Sequence, residues 1–214
     1  MRDICRVAID GIDGAGKTST VQRLTERLQR QGASVARVER SGPESIASVA
    51  ALTALIKASD GGSVALTPKA DAHIRLARTY ERLAAAAASG ATVAIFDKWL
   101  PTELARLTQA DFEDVRYLVA DTIAEMHTLT VILQAPFDVT WQRILQRPEE
   151  QRSPKEMRGR QYNRVLYDNV ANGIDRFLAC GGRVHRIDST QPIERVVDQI
   201  LDLIVLKNET RDIS

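Results

Sequence analysis

Hydrophobic and polar positions along the chain follow two alternating patterns. Short runs rich in apolar and β-branched residues, each bounded by glycine or a polar residue, predict buried strands. Between them, apolar residues recur every three to four positions, as at Val21, Leu24 and Leu28, which predicts amphipathic helices. The predicted strands are 4–10, 34–38, 91–96, 128–133 and 184–187. The predicted helices are 18–30, 44–58, 68–89, two within 101–126, 137–146, 154–179 and 192–206.

Strands that alternate with helices are typical of an α/β fold in which helices cover both faces of a parallel sheet. The chain has 214 residues, which is on the scale of one domain at roughly 100–200 residues each. No internal repeat or low-complexity linker interrupts the pattern. We therefore predict a single domain over residues 1–214, built on five parallel strands, and expect the tail 207–214 to fray.

Composition and charge exclude several classes of protein. Hydrophobic residues make up 44% and charged residues 27%, which is ordinary for a globular protein and argues against disorder. Lys+Arg number 29 against 28 Asp+Glu, so the net charge of +1 creates no global field for nucleic acid or for an anionic membrane. No apolar run approaches the roughly 20 residues of a membrane span. No signal-peptide pattern follows Met1, so we expect a cytoplasmic location.

A glycine-rich segment between the first predicted strand and the first predicted helix carries the strongest chemical signal. Residues 11–18 fit G-x-x-x-x-G-K-[ST] in the strand–loop–helix context that this motif requires. Glycines let backbone N–H groups surround a phosphate, and the following helix adds the partial positive charge of its N-terminus. The motif predicts a site for ATP, with the Lys17 ammonium on the β/γ-phosphates and the Thr18 hydroxyl on Mg²⁺. The predicted ATP-binding residues of this loop are Gly11, Asp13, Gly14, Ala15, Gly16, Lys17 and Thr18.

Two further features accompany the loop. Asp97-Lys98-Trp99 ends the third predicted strand, at the sheet edge where ligands bind in open α/β proteins. Residues 143–164 carry seven basic side chains, although the net charge of the whole chain is only +1.

With these features, the sequence from residue 4 to about 205 resembles the thymidylate kinase family of P-loop nucleoside monophosphate kinases. The resemblance implies a P-loop kinase fold with a helical lid over about residues 143–160. It also implies ATP with Mg²⁺ as phosphoryl donor, a small nucleotide as acceptor, and a homodimer.

The resemblance also assigns the acceptor-binding residues. Asp13 is implied to hold the 3′-hydroxyl of the acceptor. Arg40, and Arg78 at 19 residues before Asp97, are implied to bind the acceptor phosphate, a role that suits the planar guanidinium fork. Lys98 stands where the family has arginine, and it keeps the charge but loses the fork. Lys98 and Trp99 complete this side of the predicted acceptor site.

The remaining predicted site residues concern phosphoryl transfer and the donor. Asp97 is expected to organise Mg²⁺ or the attacking oxygen of the acceptor. Arg147 and Arg152 are expected to reach the transferring phosphoryl group from the lid, because Ala15 stands where one branch of the family carries an arginine. Thr190 lies in a segment that resembles the loop beside the donor adenine.

The departures from the family pattern concern recognition of the base. Ile74 stands where the family has an aromatic residue that stacks on thymine, and Arg106 and Leu107 replace a Tyr-Gln pair. Isoleucine has no aromatic face and leucine forms no hydrogen bond with a base edge. We therefore hypothesise that the acceptor is dTMP or an unusual, modified nucleotide. The candidate residues for a modified base pocket are His73, Tyr80, Trp99 and Arg106.

The leading prediction is a Mg-ATP-dependent kinase of a nucleoside monophosphate, and two alternatives stay open. One is a P-loop kinase of a non-nucleotide small molecule in a biosynthetic pathway, against which the predicted phosphate-binding arginines argue. The other, from a different class, is an NTP-binding regulatory switch without an acceptor. A switch needs the P-loop but has no use for Asp13, Arg40 and Arg78 together with a basic lid.

Overall fold

A parallel sheet of five strands forms the centre of the structure, as predicted. The computed structural model describes the backbone of residues 4–40 and 46–211, with side chains described as far as Leu206. The strands are β1 Cys5–Asp10, β2 Val35–Val38, β3 Val93–Asp97, β4 Leu129–Gln134 and β5 Val184–Asp188. They lie in the order β2-β3-β1-β4-β5, and every neighbouring pair is parallel. The carboxyl ends of all five strands therefore meet at one edge of the sheet.

The described residues also form eight α-helices that cover both faces of the sheet. They are α1 Lys17–Arg30, α2 Ala47–Asp60, α3 Pro68–Ala88, α4 Leu100–Leu104, α5 Gln109–Met126, α6 Phe137–Leu145, α7 Arg160–Ala179 and α8 Ile193–Arg211. In this part of the chain, no helix combines the length and the apolar character that crossing a membrane requires.

The hydrophobic core is divided by the sheet into two layers, because successive side chains of a strand point to opposite faces. Ala8 and Phe96 lie in the layer that contains residues of α3, α4, α5 and α7. Val7, Ile9 and Ile95 lie in the layer on the other face, with residues of α1 and α8. All five side chains are inaccessible to solvent. This burial on both faces explains why the strands read as continuous apolar runs.

Local sequence signals begin two helices, of which α3 starts at Pro68 as predicted. Thr67 caps α3 by accepting a hydrogen bond from the Ala70 amide, and Pro68 occupies the first turn, where its missing N–H costs nothing. Thr108 and Asp111 form a reciprocal capping box at the start of α5. These caps place the loop between α4 and α5, and the start of α3, at the sheet edge that carries the strand ends.

The helix predicted from residue 154 begins only at Arg160. Two short 3-10 turns, Glu149–Gln151 and Glu156–Arg158, precede it. Gly159 interrupts the helical path because its φ of 86° lies in the left-handed region. In the second turn, the Ser153 amide donates to the Glu156 carboxylate, so the segment satisfies its polar groups locally. The lid predicted over 143–160 is therefore mostly irregular and is bounded by α6 and α7.

Two other predicted boundaries need correction. Helix α8 continues to Arg211, past the predicted end at residue 206, and residues 212–214 lie outside the described part of the chain; the expected fraying of the tail stays a prediction. No glycine or proline after Leu206 stops the helix. Helix α2 continues to Asp60, past the predicted end at residue 58, and the carboxylate of Asp60 forms ion pairs with Arg75 and Arg106. The predicted start of this helix at Glu44 lies outside the described residues.

Helices α4 and α7 approach each other through their backbones at Gly173. A Cβ atom at this position would collide with the carbonyl oxygen of Pro101 and would lie 2.7 Å from the amide nitrogen of Ala105. Backbone atoms cannot move aside as a flexible side chain can. Only glycine therefore permits this contact, which joins the helix after the lid to the short helix that follows β3.

The Gly173→Ala substitution should destabilise the protein, although alanine favours an isolated helix by about 1 kcal/mol. The clash resembles overpacking of a core, which typically costs about 1–3 kcal/mol or more. Urea unfolding should show a clear loss of stability. Asn172→Ala, on the exposed side of the same helix, serves as the control and should change little. Equal or greater stability of Gly173→Ala would show that α4 and α7 are not in backbone contact.

Candidate active site

Asp10 connects three elements at the carboxyl edge of the sheet. Its carboxylate is completely buried at the end of β1 and accepts hydrogen bonds from the backbone amides of Gly11 (2.7 Å), Trp99 (3.1 Å) and Thr102 (3.0 Å). The Thr102 hydroxyl donates to the same carboxylate. Burial raises the pKa of Asp10, against the effect of these hydrogen bonds. Asp10 thus ties the start of the glycine loop to the segment after β3. The sequence analysis missed this role, although a carboxylate that ends an apolar strand was a visible signal.

The glycine loop adopts the conformation that its composition predicts. Gly11, Gly14 and Gly16 all have positive φ values, of 133°, 84° and 87°. At Gly14 a Cβ atom would collide with the carbonyl oxygen of Thr140, so no larger residue fits. Helix α1 begins at Lys17, directly after the loop, and its N-terminal amides therefore belong to the same site.

Lys17 lies inside the loop. Its ammonium donates to the carbonyl oxygens of Gly11 (2.8 Å) and Ile12 (2.7 Å) and lies 3.6 Å from Asp13 Oδ1. Burial lowers the pKa of Lys17, and the positive charge of Lys98 acts in the same direction. The structure therefore presents a compact, largely desolvated cation at the base of the loop.

A first cavity of about 420 Å³ opens above the glycine loop. Its lining brings together most of the predicted donor-site and lid residues, namely Asp13, Gly14, Gly16, Lys17, Thr18, Asp97, Lys98, Arg147 and Arg152. Arg147 donates to Glu156 (2.7 Å), while Arg152 donates to the carbonyl oxygens of Arg147 and Leu145. The irregular segment between α6 and α7 thus holds both arginines at the wall of the cavity.

The same cavity contains oxygen donors suited to Mg²⁺. The Thr18 hydroxyl and the Asp97 carboxylate both belong to its lining. In nucleotide sites, Mg²⁺ keeps several waters and binds one or two carboxylates together with the phosphates of the substrate. Within residues 4–40 and 46–211, no group of three His, Cys, Asp or Glu side chains is placed to hold a metal. The oxygens of Thr18 and Asp97 at one cavity fit a magnesium ion that nucleotide phosphates also bind.

A second cavity of about 480 Å³ adjoins the first. Asp13, Lys98 and Lys155 line both of them. Lys98 Nζ donates to Asp13 Oδ1 at 3.0 Å. Burial opposes ionisation of Asp13, but the charges of Lys17 and Lys98 outweigh it and hold the pKa of this carboxyl well below its usual range. Asp13 is therefore an anion at the junction of the two cavities.

Cations surround this junction on the side of the second cavity. Arg40 and Arg106 line the second cavity together with Lys98 and Lys155. Burial lowers the pKa of Lys155 to about 8, and the charges of Arg106 and Arg40 act in the same direction. Cations that repel one another at close range are stabilised by an anion placed among them. The inner end of the second cavity therefore has the electrostatics of a phosphate site.

Glu103 on α4 compensates the positive charge of three arginines beside the second cavity. Its side chain is only 5% exposed and accepts hydrogen bonds from three guanidinium groups. The donors are Arg40 Nε at 2.9 Å, Arg78 Nη2 at 2.5 Å and Arg75 Nη1 at 3.4 Å. Burial alone would raise the pKa of Glu103, but the three arginines outweigh burial and lower it strongly. Glu103 is ionised and fixes the arginines in place, a role that the sequence analysis did not predict.

The predicted acceptor arginine of α3, Arg78, lies behind the wall of the second cavity. Arg78 is 2% exposed, is held by Glu103 and lines neither cavity. Arg75, three residues earlier, lines the second cavity. The assignment of Arg78 to the acceptor phosphate stays a prediction.

Other predicted acceptor and adenine residues also lie outside these two cavities. Trp99 is 1% exposed and packs on Phe96 at a ring-centroid distance of 4.6 Å. Ile74 on α3 is half-buried. Thr190 is exposed beyond β5, where it donates to Asp188. Of the candidates for a modified base pocket, Arg106 lines the second cavity, whereas the other three, His73, Tyr80 and Trp99, do not.

Arg82 holds the ends of two strands and was not predicted. Its guanidinium is 1% exposed and donates to the carbonyl oxygens of Lys98 (2.9 Å), Val38 (2.8 Å) and Asp97 (2.9 Å). Lys98 has a φ of 61°, a conformation that is costly for a residue with a side chain. Burial lowers the pKa of Arg82 to about 10, which still leaves it cationic at neutral pH. Arg82 therefore holds Lys98 in the conformation from which it reaches Asp13.

Comparison with known proteins agrees with this arrangement. The family model for thymidylate kinase matches residues 9–200. The chain belongs to the thymidylate kinase family. It is 28% identical to the thymidylate kinase of Rhodopirellula baltica, with 91% of this chain and 77% of that protein covered. It is 26% identical to the thymidylate kinase of Paracidovorax citrulli, with 92% of this chain and 91% of that protein covered. The thymidylate kinase of Geobacter sulfurreducens is 26% identical, with 93% and 95% covered.

Replacing Glu103 with glutamine should destabilise the protein, because three guanidinium groups, two of them buried, would lose a shared negative charge. Loss of one partner from a buried ion pair typically costs about 3–5 kcal/mol. The folded-state pKa of Glu103 is lowered, so its contribution is present above the ordinary pKa of 4.5 and disappears as the pH falls below that value.

Urea unfolding at pH 7 should therefore separate Glu103→Gln from the wild type, and the difference should shrink steadily on acidification below about pH 4.5. Glu125→Gln, exposed on α5, is the control. If Glu103→Gln and the wild type had the same unfolding midpoint at pH 7, the charge of Glu103 would not stabilise the protein.

Proposed function

We propose that this chain transfers the γ-phosphoryl group of ATP to a nucleoside monophosphate. The supporting observation is the junction at Asp13, Lys98 and Lys155, where a cavity built on the glycine loop meets a second cavity surrounded by cations. A kinase needs two anionic substrates to meet in this way. The relatives that bear the name thymidylate kinase are consistent with this activity.

ATP would occupy the first cavity with its phosphates in the glycine loop. The backbone amides of the loop and of the start of α1 would bind the phosphate oxygens, and the Lys17 ammonium would turn from the loop carbonyls to the β/γ-phosphates. Thr18 and Asp97 would hold Mg²⁺, which supplies neutralisation of phosphate charge when bound. Thr190, exposed beyond β5 at the same sheet edge, is proposed to flank the adenine.

The acceptor would occupy the second cavity with its phosphate at the inner end. Arg40 and Arg106 would bind that phosphate together with the ammonium groups of Lys98 and Lys155. Arg40 suits this role because Glu103 accepts from its Nε and Nη2 atoms, and among the residues that the structure describes its Nη1 atom has no hydrogen-bond partner. Asp13 is proposed to accept a hydrogen bond from the 3′-hydroxyl of the acceptor.

Phosphoryl transfer requires alignment of the two substrates and stabilisation of spread negative charge. The cations at the junction would offset the repulsion between donor and acceptor phosphates. We propose that residues 143–160 act as a lid, so that Arg147 and Arg152 bring further positive charge to the transferring group and exclude water. Homodimer formation and a cytoplasmic location stay predictions.

A regulatory switch that binds a nucleoside triphosphate would need only the first cavity. It would have no use for a phosphate site built from Arg40, Arg106 and Lys155. ADP release that depends on an added nucleoside monophosphate distinguishes the kinase from the switch. Acceptor-independent hydrolysis alone would favour the switch.

Lys17→Ala should lower kcat by about 100-fold or more, because a charge aimed at the transition state is lost. Arg40→Ala should mainly raise the KM for the acceptor, since Arg40 is proposed to bind the acceptor phosphate and not the transferring phosphoryl group. Steady-state ADP release measures both constants. Arg30→Ala, exposed near the end of α1, is the matched control. If Lys17→Ala turned over at close to the wild-type rate, the assignment of the glycine loop as the donor site would be wrong.

The decrease of kcat/KM at alkaline pH should report the deprotonation of Lys155. Because its pKa is about 8 in the free protein, the ammonium becomes neutral as the pH rises through that value, and kcat/KM for the acceptor should fall. Lys155→Arg keeps its charge well above pH 8, so its alkaline limb should move to higher pH.

Lys57→Arg, an exposed lysine on α2, serves as the control and should reproduce the wild-type profile. Superimposable alkaline limbs for the wild type and Lys155→Arg would show that Lys155 does not assist acceptor binding.

A further inference from the structure

Asn163, in the first turn of α7, is a buried polar side chain that binds the backbone of the segment before the helix. It is 5% exposed. Its Nδ2 atom donates to the carbonyl oxygens of Gly159 (2.8 Å), Lys155 (3.3 Å) and Glu156 (3.4 Å). All three partners are acceptors, so the nitrogen of the amide must face them. One side chain therefore joins the second 3-10 turn, Glu156–Arg158, to the start of α7.

The backbone at this point needs such a donor. Gly159, with a φ of 86°, separates the 3-10 turn from α7, so the two do not form one continuous hydrogen-bonded helix. Carbonyl groups at the end of a helical turn lack partners within it, and a buried carbonyl without a partner is costly. An asparagine amide has only two N–H groups, so the three carbonyl oxygens share them. Asn163 thus fixes the turn relative to α7.

Helix α7 is itself fixed to the acceptor side of the cleft. Gly173 lies against the backbone of α4. Arg176 Nη1 donates to the carbonyl oxygens of Leu104 (2.8 Å) and Leu107 (2.7 Å), before and within the loop that joins α4 to α5. Leu107 lines the second cavity. The position that Asn163 gives to the 3-10 turn is therefore a position relative to the second cavity.

The residues whose carbonyl groups Asn163 binds also place charges at the cavities. Lys155 lines both cavities. The carboxylate of Glu156 is buried and accepts from Arg147 Nη1 at 2.7 Å, and Arg147 lines the first cavity. Asn163 lines neither cavity. Its hydrogen bonds hold the backbone from which Lys155 extends directly and to which Arg147 is attached through Glu156.

We propose that Asn163 is a positioning residue that holds Lys155 and Arg147 at the phosphate site. This inference rests on the proposed function, in which Lys155 binds the acceptor phosphate and Arg147 reaches the transferring phosphoryl group. Long cationic side chains stabilise charge in a transition state best when they are held in place before the reaction. Asn163 supplies that restraint through the backbone and contacts neither substrate.

Hydrogen exchange tests the restraint without any substrate. The amides of Met157 and Arg158 donate to the carbonyl oxygens of Ser153 and Lys155 within the irregular segment. Asn163→Ala should speed exchange at both amides, because the turn loses its attachment to α7. Amides of β1 should keep their wild-type rates. Unchanged exchange at Met157 and Arg158, or equal acceleration throughout the sheet, would overturn the positioning role.

Asn163→Ser provides a second variant in case Asn163→Ala folds poorly. A helical serine hydroxyl donates to the carbonyl four residues earlier, which here is that of Gly159. The serine side chain would therefore keep this bond and lose the two bonds to Lys155 and Glu156. Asn163→Ser should speed exchange at Met157 and Arg158 as Asn163→Ala does. Wild-type exchange in Asn163→Ser would show that the bonds to the turn do not restrain it.

Steady-state kinetics with ATP and dTMP then test the consequence. Asn163→Ala and Asn163→Ser should raise the KM for dTMP by about 5-fold or more, as expected when a hydrogen bond from a charged group is weakened, and should lower kcat. KM does not depend on the amount of folded enzyme, so it separates positioning from stability. Asn172→Ala, exposed on the same helix, is the matched control and should keep the wild-type KM.

A double variant identifies the group through which Asn163 acts. Once Lys155→Ala has removed the ammonium, adding Asn163→Ala should raise the KM for dTMP by no more than about 2-fold, because coupled residues are not additive. Full additivity would overturn this inference and leave the proposed function intact. If the wild type released no ADP with any nucleoside monophosphate, the proposed function would be wrong, and the exchange experiment would still decide whether Asn163 restrains the turn.

Discussion

One buried carboxylate, Glu103, carries the charge balance on which the acceptor side of the cleft depends. Three guanidinium groups converge on it, two from α3 and one from the segment after β2. Without a negative charge at this point, mutual repulsion would force the arginines apart or out into solvent. With it, α3, α4 and the end of β2 are held together, and Arg40 lines the second cavity. A stabilising interaction of the fold is thus also the support of the proposed phosphate site.

Two further buried charged side chains, Asp10 and Arg82, stabilise the backbone of the same region. Asp10 binds amides of the glycine loop and of the segment after β3, and Arg82 binds carbonyl oxygens at the ends of β2 and β3. Asp10 is an anion that accepts hydrogen bonds from several N–H groups. Arg82 is a cation that donates hydrogen bonds to several carbonyl oxygens. Between them they satisfy backbone groups that the strand ends leave without partners. They also hold Lys98 in its strained conformation, so Asp13 and Lys98 meet at the point shared by the two cavities.

The sequence was sufficient for features that depend on neighbours along the chain. Five strands, most helices and the glycine loop follow from short apolar runs, caps and glycine positions, all of which act within a few residues. The roles of Glu103, Asp10 and Arg82 depend on partners that the fold brings in from other elements. The sequence alone does not show that these charged side chains are buried, because it does not show which partners compensate them. Which arginine of α3 lines the second cavity likewise depends on helix rotation, which a residue count across a loop does not determine.

The backbone contact at Gly173 sets the rotational phase of α7. An α-helix turns by about 100° per residue, so an inserted or deleted residue between Arg160 and Gly173 would rotate the first turns of α7 relative to the contact with α4. A change between Val170 and Gly173 would turn Leu166, Asn169 and Val170 away from the second cavity. A change of length before Gly159, in irregular backbone, carries no such penalty. Relatives of this chain should therefore vary in length within the lid and keep the spacing between the lid and this glycine constant.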